Sequence, residues 1–165
     1  MTDFAALQRY VCARRVFESE LHGMDHWRQV EANGLRLART TCADPVVVRL
    51  FALFHDSRRE NDGADPGHGR RGAEFARQCY EKGLLGITPE QFARLHHACA
   101  FHTSEPRSRD ATVDTCYDAD RLDLGRVGMR PDPRKMATFA GAALARAALA
   151  AGISPRGMRE WLQTQ

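Results

Sequence analysis

The sequence predicts an all-α protein, a bundle of helices in one domain spanning residues 1–165. Three observations carry that expectation. Apolar residues recur at helical spacing along most of the chain, no segment alternates like a half-buried strand, and capping residues and glycines punctuate the pattern. With 165 residues, 43% of them hydrophobic, the chain is long enough to bury one core.

A first helix is expected from about Asp3 to Leu21, with Phe4, Leu7, Val11 and Val16 facing inward, until His22-Gly23 breaks it. A second starts near Met24 and lines up His26, Val30, Gly34 and Leu37 on one stripe. Asp44-Pro45 starts a third, a capping side chain followed by proline at the first helical position. It carries the apolar run Val46 to Phe54 and ends on His55-Asp56. Ser57 to Gly67 is polar and rich in Gly, Pro, Asp and Asn, which reads as a loop. A fourth helix runs from His68 to Lys82 and stops at Gly83. Thr88-Pro89-Glu90 starts a fifth that reaches His102. After a loop containing Pro106, a sixth runs from Thr112 to Leu124, holds Asp120 and ends at Gly125. Pro131 and Pro133 separate it from an Ala-rich helix from Met136 to Ala151. Ser154-Pro155 starts a last short helix whose apolar side is Met158, Trp161 and Leu162.

Composition excludes several classes. A net charge of +3 with scattered basic residues does not make a nucleic-acid polymer the expected partner. The Ala-rich run is too short, and interrupted by Arg146, to span a bilayer. No basic segment followed by an apolar stretch opens the chain. The five cysteines form no C-x-x-C pair and lie mostly in apolar surroundings, which fits reduced, buried thiols. A cytoplasmic protein is the expectation. Arginine greatly outnumbers lysine, present only as Lys82 and Lys135. Arg58-Arg59, Arg70-Arg71, Arg107 and Arg109 flank the candidate site residues, which would suit an anionic phosphate substrate.

The chemistry starts at His55-Asp56. A histidine and an aspartate closing a buried helix are costly to bury without a partner, and a divalent cation suits both side chains. His26 precedes the pair; His68, His96, His102 and Asp120 follow it. His22 and His26 have the i, i+4 spacing of a zinc-peptidase helix. That motif needs glutamate after the first histidine, and Gly23 stands there, so a peptidase is excluded. Phe92, Leu95 and Cys99 define the buried side of the fifth helix. His96 and His102 flank that side, whereas His97 faces away. Asp120 is half-buried beside Ala119 and Leu122, while Asp118 and Asp123 fall elsewhere on that helix.

The order His26, His55-Asp56, and Asp120 within Ala-Asp-Arg-Leu resembles the HD superfamily of metal-dependent phosphohydrolases, across most of the chain. The resemblance implies a helical bundle holding one or two divalent ions (Mn, Mg, Co, Ni, Zn or Fe) between helices. His26, His55, Asp56 and Asp120 would hold one. His68, opening His68-Gly69-Arg70-Arg71-Gly72-Ala73, and His102 match the extra histidines of two-metal members, with Asp56 as the bridge. No Gly-Tyr-Pro signature points to a cyclic dinucleotide. The implied activity is hydrolysis of a small phosphate ester, nucleotide-like or otherwise, by a metal-activated water. Glu60 and Asp62 are candidates to orient that water or carry a proton, Arg59 and Arg58 to clamp phosphate, with Arg71 a further option and His22 beside the site. Two other readings stand beside it: a diiron oxygenase on the same scaffold, and a non-catalytic nucleotide-binding regulatory module.

Overall fold

The computed structural model describes residues 2–165, which form eight α-helices and two short 3-10 turns, with no strand. The helices are α1 (Phe4–Cys12), α2 (Met24–Thr41), α3 (Pro45–Phe54), α4 (His68–Glu81), α5 (Pro89–Phe101), α6 (Ala111–Arg121), α7 (Phe139–Ala150) and α8 (Met158–Gln163). No described helix is long and apolar enough to cross a membrane.

α3 is the axis. Val47, Val48, Leu50, Phe51, Ala52, Leu53 and Phe54 are all buried, as expected of a helix apolar on most of its circumference, with Arg49 facing out to Glu31. The Asp44 carboxylate accepts from the Val46 and Val47 amides at 2.9 and 3.4 Å and fixes its start. α2, α4, α5 and α6 surround it. Close approach depends on glycine. A Cβ at Gly34 would lie 2.4 Å from Val48 Cγ1, so α2 rests directly on α3. A Cβ at Gly72 would lie 2.5 Å from the Phe54 carbonyl oxygen and 3.0 Å from that of His55, so α4 packs onto the end of α3 that bears the His-Asp pair. Gly72→Ala is therefore expected to cost about 1–3 kcal/mol, by overpacking a rigid backbone contact. It should also weaken metal retention, since His68 rides on α4 and His55 on α3. Urea denaturation and a manganese titration check this; an unchanged midpoint would contradict the packing argument.

Boundaries differ from the sequence expectation where side chains bond locally to backbone. α1 stops at Cys12, not near Leu21, and Val16 is 60% exposed instead of facing inward. Arg14 and Arg15 donate to the carbonyls of Tyr10 and Cys12 at the helix end. The Ser19 hydroxyl accepts from the His22 amide at 2.6 Å and bonds the Asp62 carboxylate. Such bonds compete with helix continuation. α6 ends at Arg121, short of Leu124, and the chain turns into a 3-10 stretch over Leu124–Val127. α7 starts at Phe139, not Met136, because Asp118 accepts the amides of Ala137 and Thr138 at 2.7 and 2.8 Å. α8 starts at Met158, after a turn closed by Ser154. It seats Met158 and Leu162 on Leu37 and Leu122, a smaller second core. Cys79, Cys99 and Cys116 are buried; Cys42, at the left-handed end of α2, is exposed, against the expectation of buried thiols.

Candidate metal centre

Four imidazoles meet where the ends of α3 and α5 face the starts of α2 and α4. Each has Nδ1 pinned to an oxygen. His55, at the end of α3, has Nδ1 3.1 and 3.2 Å from the carbonyl oxygens of Phe51 and Ala52. These belong to the last turn; the Phe51 carbonyl also accepts the His55 amide at 3.0 Å. His102 uses the end of α5 in the same way, with Nδ1 2.9 Å from the Cys99 carbonyl oxygen. His68 Nδ1 meets the Asp65 carbonyl oxygen. His26 lies in the first turn of α2, whose preceding residues are not helical, and its Nδ1 meets Asp123 Oδ2 at 2.7 Å.

An Nδ1–H donating to oxygen leaves Nε2 with a lone pair. The four Nε2 atoms then face one another in pairs, His26 to His55 at 3.0 Å and His68 to His102 at 3.1 Å. Two lone pairs at that distance repel unless a proton or a cation lies between them. Asp56 stands between the pairs. Its Oδ2 is 3.5 Å from His26 Nε2 and 3.6 Å from His55 Nε2, and its Oδ1 is 3.1 Å from His68 Nε2 and 3.9 Å from His102 Nε2. Asp120 Oδ1 closes the first group, 3.3 Å from His26 Nε2 and 4.0 Å from His55 Nε2. Two ligand atoms each about 2.1 Å from one cation are about 3.0–3.4 Å apart at octahedral or tetrahedral angles. In His26–His55–Asp120 and in Asp56–His68–His102 two of the three separations fall in that range and the third, 4.0 or 3.9 Å, is wider, so each group could hold a cation at one widened angle. Mixed imidazole and carboxylate donors suit a first-row transition metal.

The metal-free electrostatics agree. Burial opposes a charge on His26, but hydrogen bonds to Asp120 and Asp123 outweigh it and raise its pKa. His68 is raised for a like reason, Asp56 being the partner that outweighs its burial. Burial dominates at the other two, pushing His55 down to about 3 and lowering His102. One imidazole in each pair thus holds a proton more readily than its partner. Burial favours the neutral acid at Asp56, yet His55, His22 and His68 together hold it well below the usual carboxylate range. Both pairs attract positive charge.

The structure brings together all six predicted metal residues, and most of the surrounding assignments resolve. His22 Nδ1 lies 2.9 Å from Asp56 Oδ2 and 3.1 Å from Arg126 Nη2, so it sits at the rim of the cluster. His96 does not join. It lies against Phe92 on α5, on the side of Glu74 and Arg77. His97 bonds Glu105 at 2.8 Å and is 42% exposed. Arg59 is buried with Nη1 3.7 Å from Asp56 Oδ1, while Nε and Nη2 donate to the carbonyls of Asn61 and Gly63. Glu60 turns outward, 61% exposed, and its carboxylate lies 3.4 Å from Arg71. Arg71 in turn grips Asp65 at 2.6 Å, and the Arg58 guanidinium covers the Phe75 ring, so both brace the loop. Asp62 is taken up by Ser19.

Asp123 and Arg159 are the members the sequence does not suggest. Asp123 follows Asp120 by three residues, a spacing that shares a helix face, and the two carboxylates meet opposite nitrogens of His26, Asp123 at Nδ1 and Asp120 at Nε2. The available signal was the need itself: a ligating histidine with no helix C-terminal carbonyl within reach requires another acceptor, such as a carboxylate, for its other nitrogen. His97→Ala is expected to leave bound metal unchanged, while His102→Ala should lower it. Equal losses in the two variants would contradict the assignment of faces on α5.

No family model and no curated protein matches this chain. Among solved structures, the chain is similar to a predicted HD superfamily hydrolase from an uncultured Thermotogales bacterium. The two share 23% identity with a TM-score of 0.69 over 96% of this chain and 91% of that one. This chain shares the fold of that structure, and four histidines and two aspartates gather between its helices.

Proposed function

We propose that the chain is an HD-type metal-dependent phosphohydrolase, acting on a nucleotide or another small phosphorylated metabolite. One observation carries this reading: two facing pairs of imidazole Nε2 atoms with the Asp56 carboxylate between them, one oxygen toward each pair. His26, His55, Asp56 and Asp120 would hold one ion, and Asp56, His68 and His102 a second. A divalent cation there lowers the pKa of a water and stabilises charge on phosphoryl oxygens.

The chain's own residues supply the rest. Two of the three guanidinium nitrogens of Arg59 are held by loop carbonyls, and Nη1 lies 3.2 Å from His68 Nδ1 and 3.7 Å from Asp56 Oδ1, where it would position those two side chains or contact an anionic substrate. His22, with 11% of its side chain exposed at the rim, is the residue a substrate would meet on entering. Glu60 faces away from the cluster, so this reading gives it no proton-transfer role. Asp62, whose carboxylate accepts from the Ser19 hydroxyl, is retained as a candidate proton acceptor. Four imidazoles favour manganese, iron, cobalt, nickel or zinc over magnesium, which prefers oxygen ligands. A cytoplasmic location, with no nucleic-acid polymer or membrane as partner, completes the proposal.

The test is release of inorganic phosphate or pyrophosphate from a nucleotide panel by the chain loaded with manganese or cobalt. Turnover that a chelator removes supports the reading; a loaded chain inert toward the whole panel contradicts it. The same six residues favour a second reading, a diiron centre for oxygen-dependent cleavage, for which oxygen consumption by the iron-loaded chain is the discriminating assay.

A further inference from the structure

Asp123 has no solvent-exposed side-chain surface, and a buried carboxylate persists only when its oxygens are satisfied. Three donors do this. Arg159 Nε donates to Oδ1 at 2.6 Å, Arg159 Nη2 donates to Oδ2 at 2.6 Å, and His26 Nδ1–H donates to Oδ2 at 2.7 Å. Arg126 adds its charge with Nη1 3.9 Å from Oδ2. The guanidinium fork therefore sets the plane of the carboxylate, and the carboxylate sets the rotation of the His26 ring. That ring in turn aims Nε2 at His55 and Asp120.

Arg159 belongs to α8, the last helix, which is seated on the bundle by Met158 and Leu162. We propose that Arg159 is a positioning residue for the candidate metal ligand His26, acting through Asp123, so that docking of α8 sets the affinity of the centre. The inference rests on the metal-binding reading above. A carboxylate behind a ligating imidazole fixes its tautomer and raises its basicity, and loss of such a partner costs about 10–100-fold in metal affinity. Arg159 stands one step further out and controls that partner by two of its three short bonds.

The test is a double-mutant cycle on the dissociation constant for manganese, titrated into full-length chain. Arg159→Ala and Asp123→Asn are each expected to weaken binding about 10–100-fold. The double variant should bind no more weakly than Asp123→Asn alone, because Arg159 acts through Asp123. Arg159→Lys, which keeps charge but not the fork, should recover part of the loss. Losses that multiply in the double variant would show that Arg159 acts independently of Asp123 and would overturn the proposal. So would Arg159→Ala binding manganese like the unaltered chain. Should Arg159→Ala fail to fold by circular dichroism, Arg159→Lys decides: wild-type affinity in that variant overturns the coupling. An unaltered chain that takes up no manganese defeats the metal reading itself, and the coupling with it.

Discussion

Asp56→Ala is expected to abolish metal retention while leaving the helical bundle folded. Its carboxylate reaches both imidazole pairs, Oδ2 facing His26 and His55 and Oδ1 facing His68 and His102. Its removal leaves His26, His55 and Asp120 as three ligands on one side, and only two histidines on the other. The fold should survive because the core around α3 is apolar and independent of the carboxylate, and because the imidazoles can shed their charge once it is gone. Circular dichroism with elemental analysis of the purified variant checks both halves. Metal content equal to that of the unaltered chain would remove Asp56 from the centre.

The second large effect is on heat stability. A ligand that binds the folded chain and not the unfolded one at 100 times its dissociation constant adds about 2.7 kcal/mol. At roughly 2–4 °C per kcal/mol for a domain of this size, saturating manganese should raise Tm by about 5–11 °C. The direction with pH follows from the raised pKa values of His26 and His68. Metal needs both rings neutral. As pH falls through those values a proton occupies each Nε2 pair and the cation must displace it, so the rise in Tm shrinks on acidification and is full on the alkaline side. Scanning calorimetry at several pH values measures this, and a manganese effect that grows as pH falls would contradict the ligand set.

The legible parts of this molecule are those governed by local rules. The start of α3 is written in Asp44-Pro45, and that of α5 in Thr88-Pro89, with Gln91 completing a reciprocal cap. His55 and His102 sit at helix ends, where last-turn carbonyls hold Nδ1, so position in the helix foretells their role. The illegible parts depend on contacts between distant segments. α1 ends early because segment 13–23 is tied by Ser19 to Asp62 and by the Leu21 carbonyl to Arg126. Asp123 meets His26 only through the packing of α2 on α6, and Arg159 finds Asp123 from the far end of the chain. Glu60 follows the His-Asp pair closely in sequence, yet the turn after α3 points it at Arg71. Proximity in sequence misled there, and distance concealed the other pair.

The most direct test of the account is elemental mass spectrometry on chain purified without chelator or affinity tag, then equilibrated with manganese or iron and desalted. The account predicts one or two transition-metal ions per chain, fewer in His102→Ala and none in Asp56→Ala. A folded chain that retains no transition metal after that treatment would contradict it.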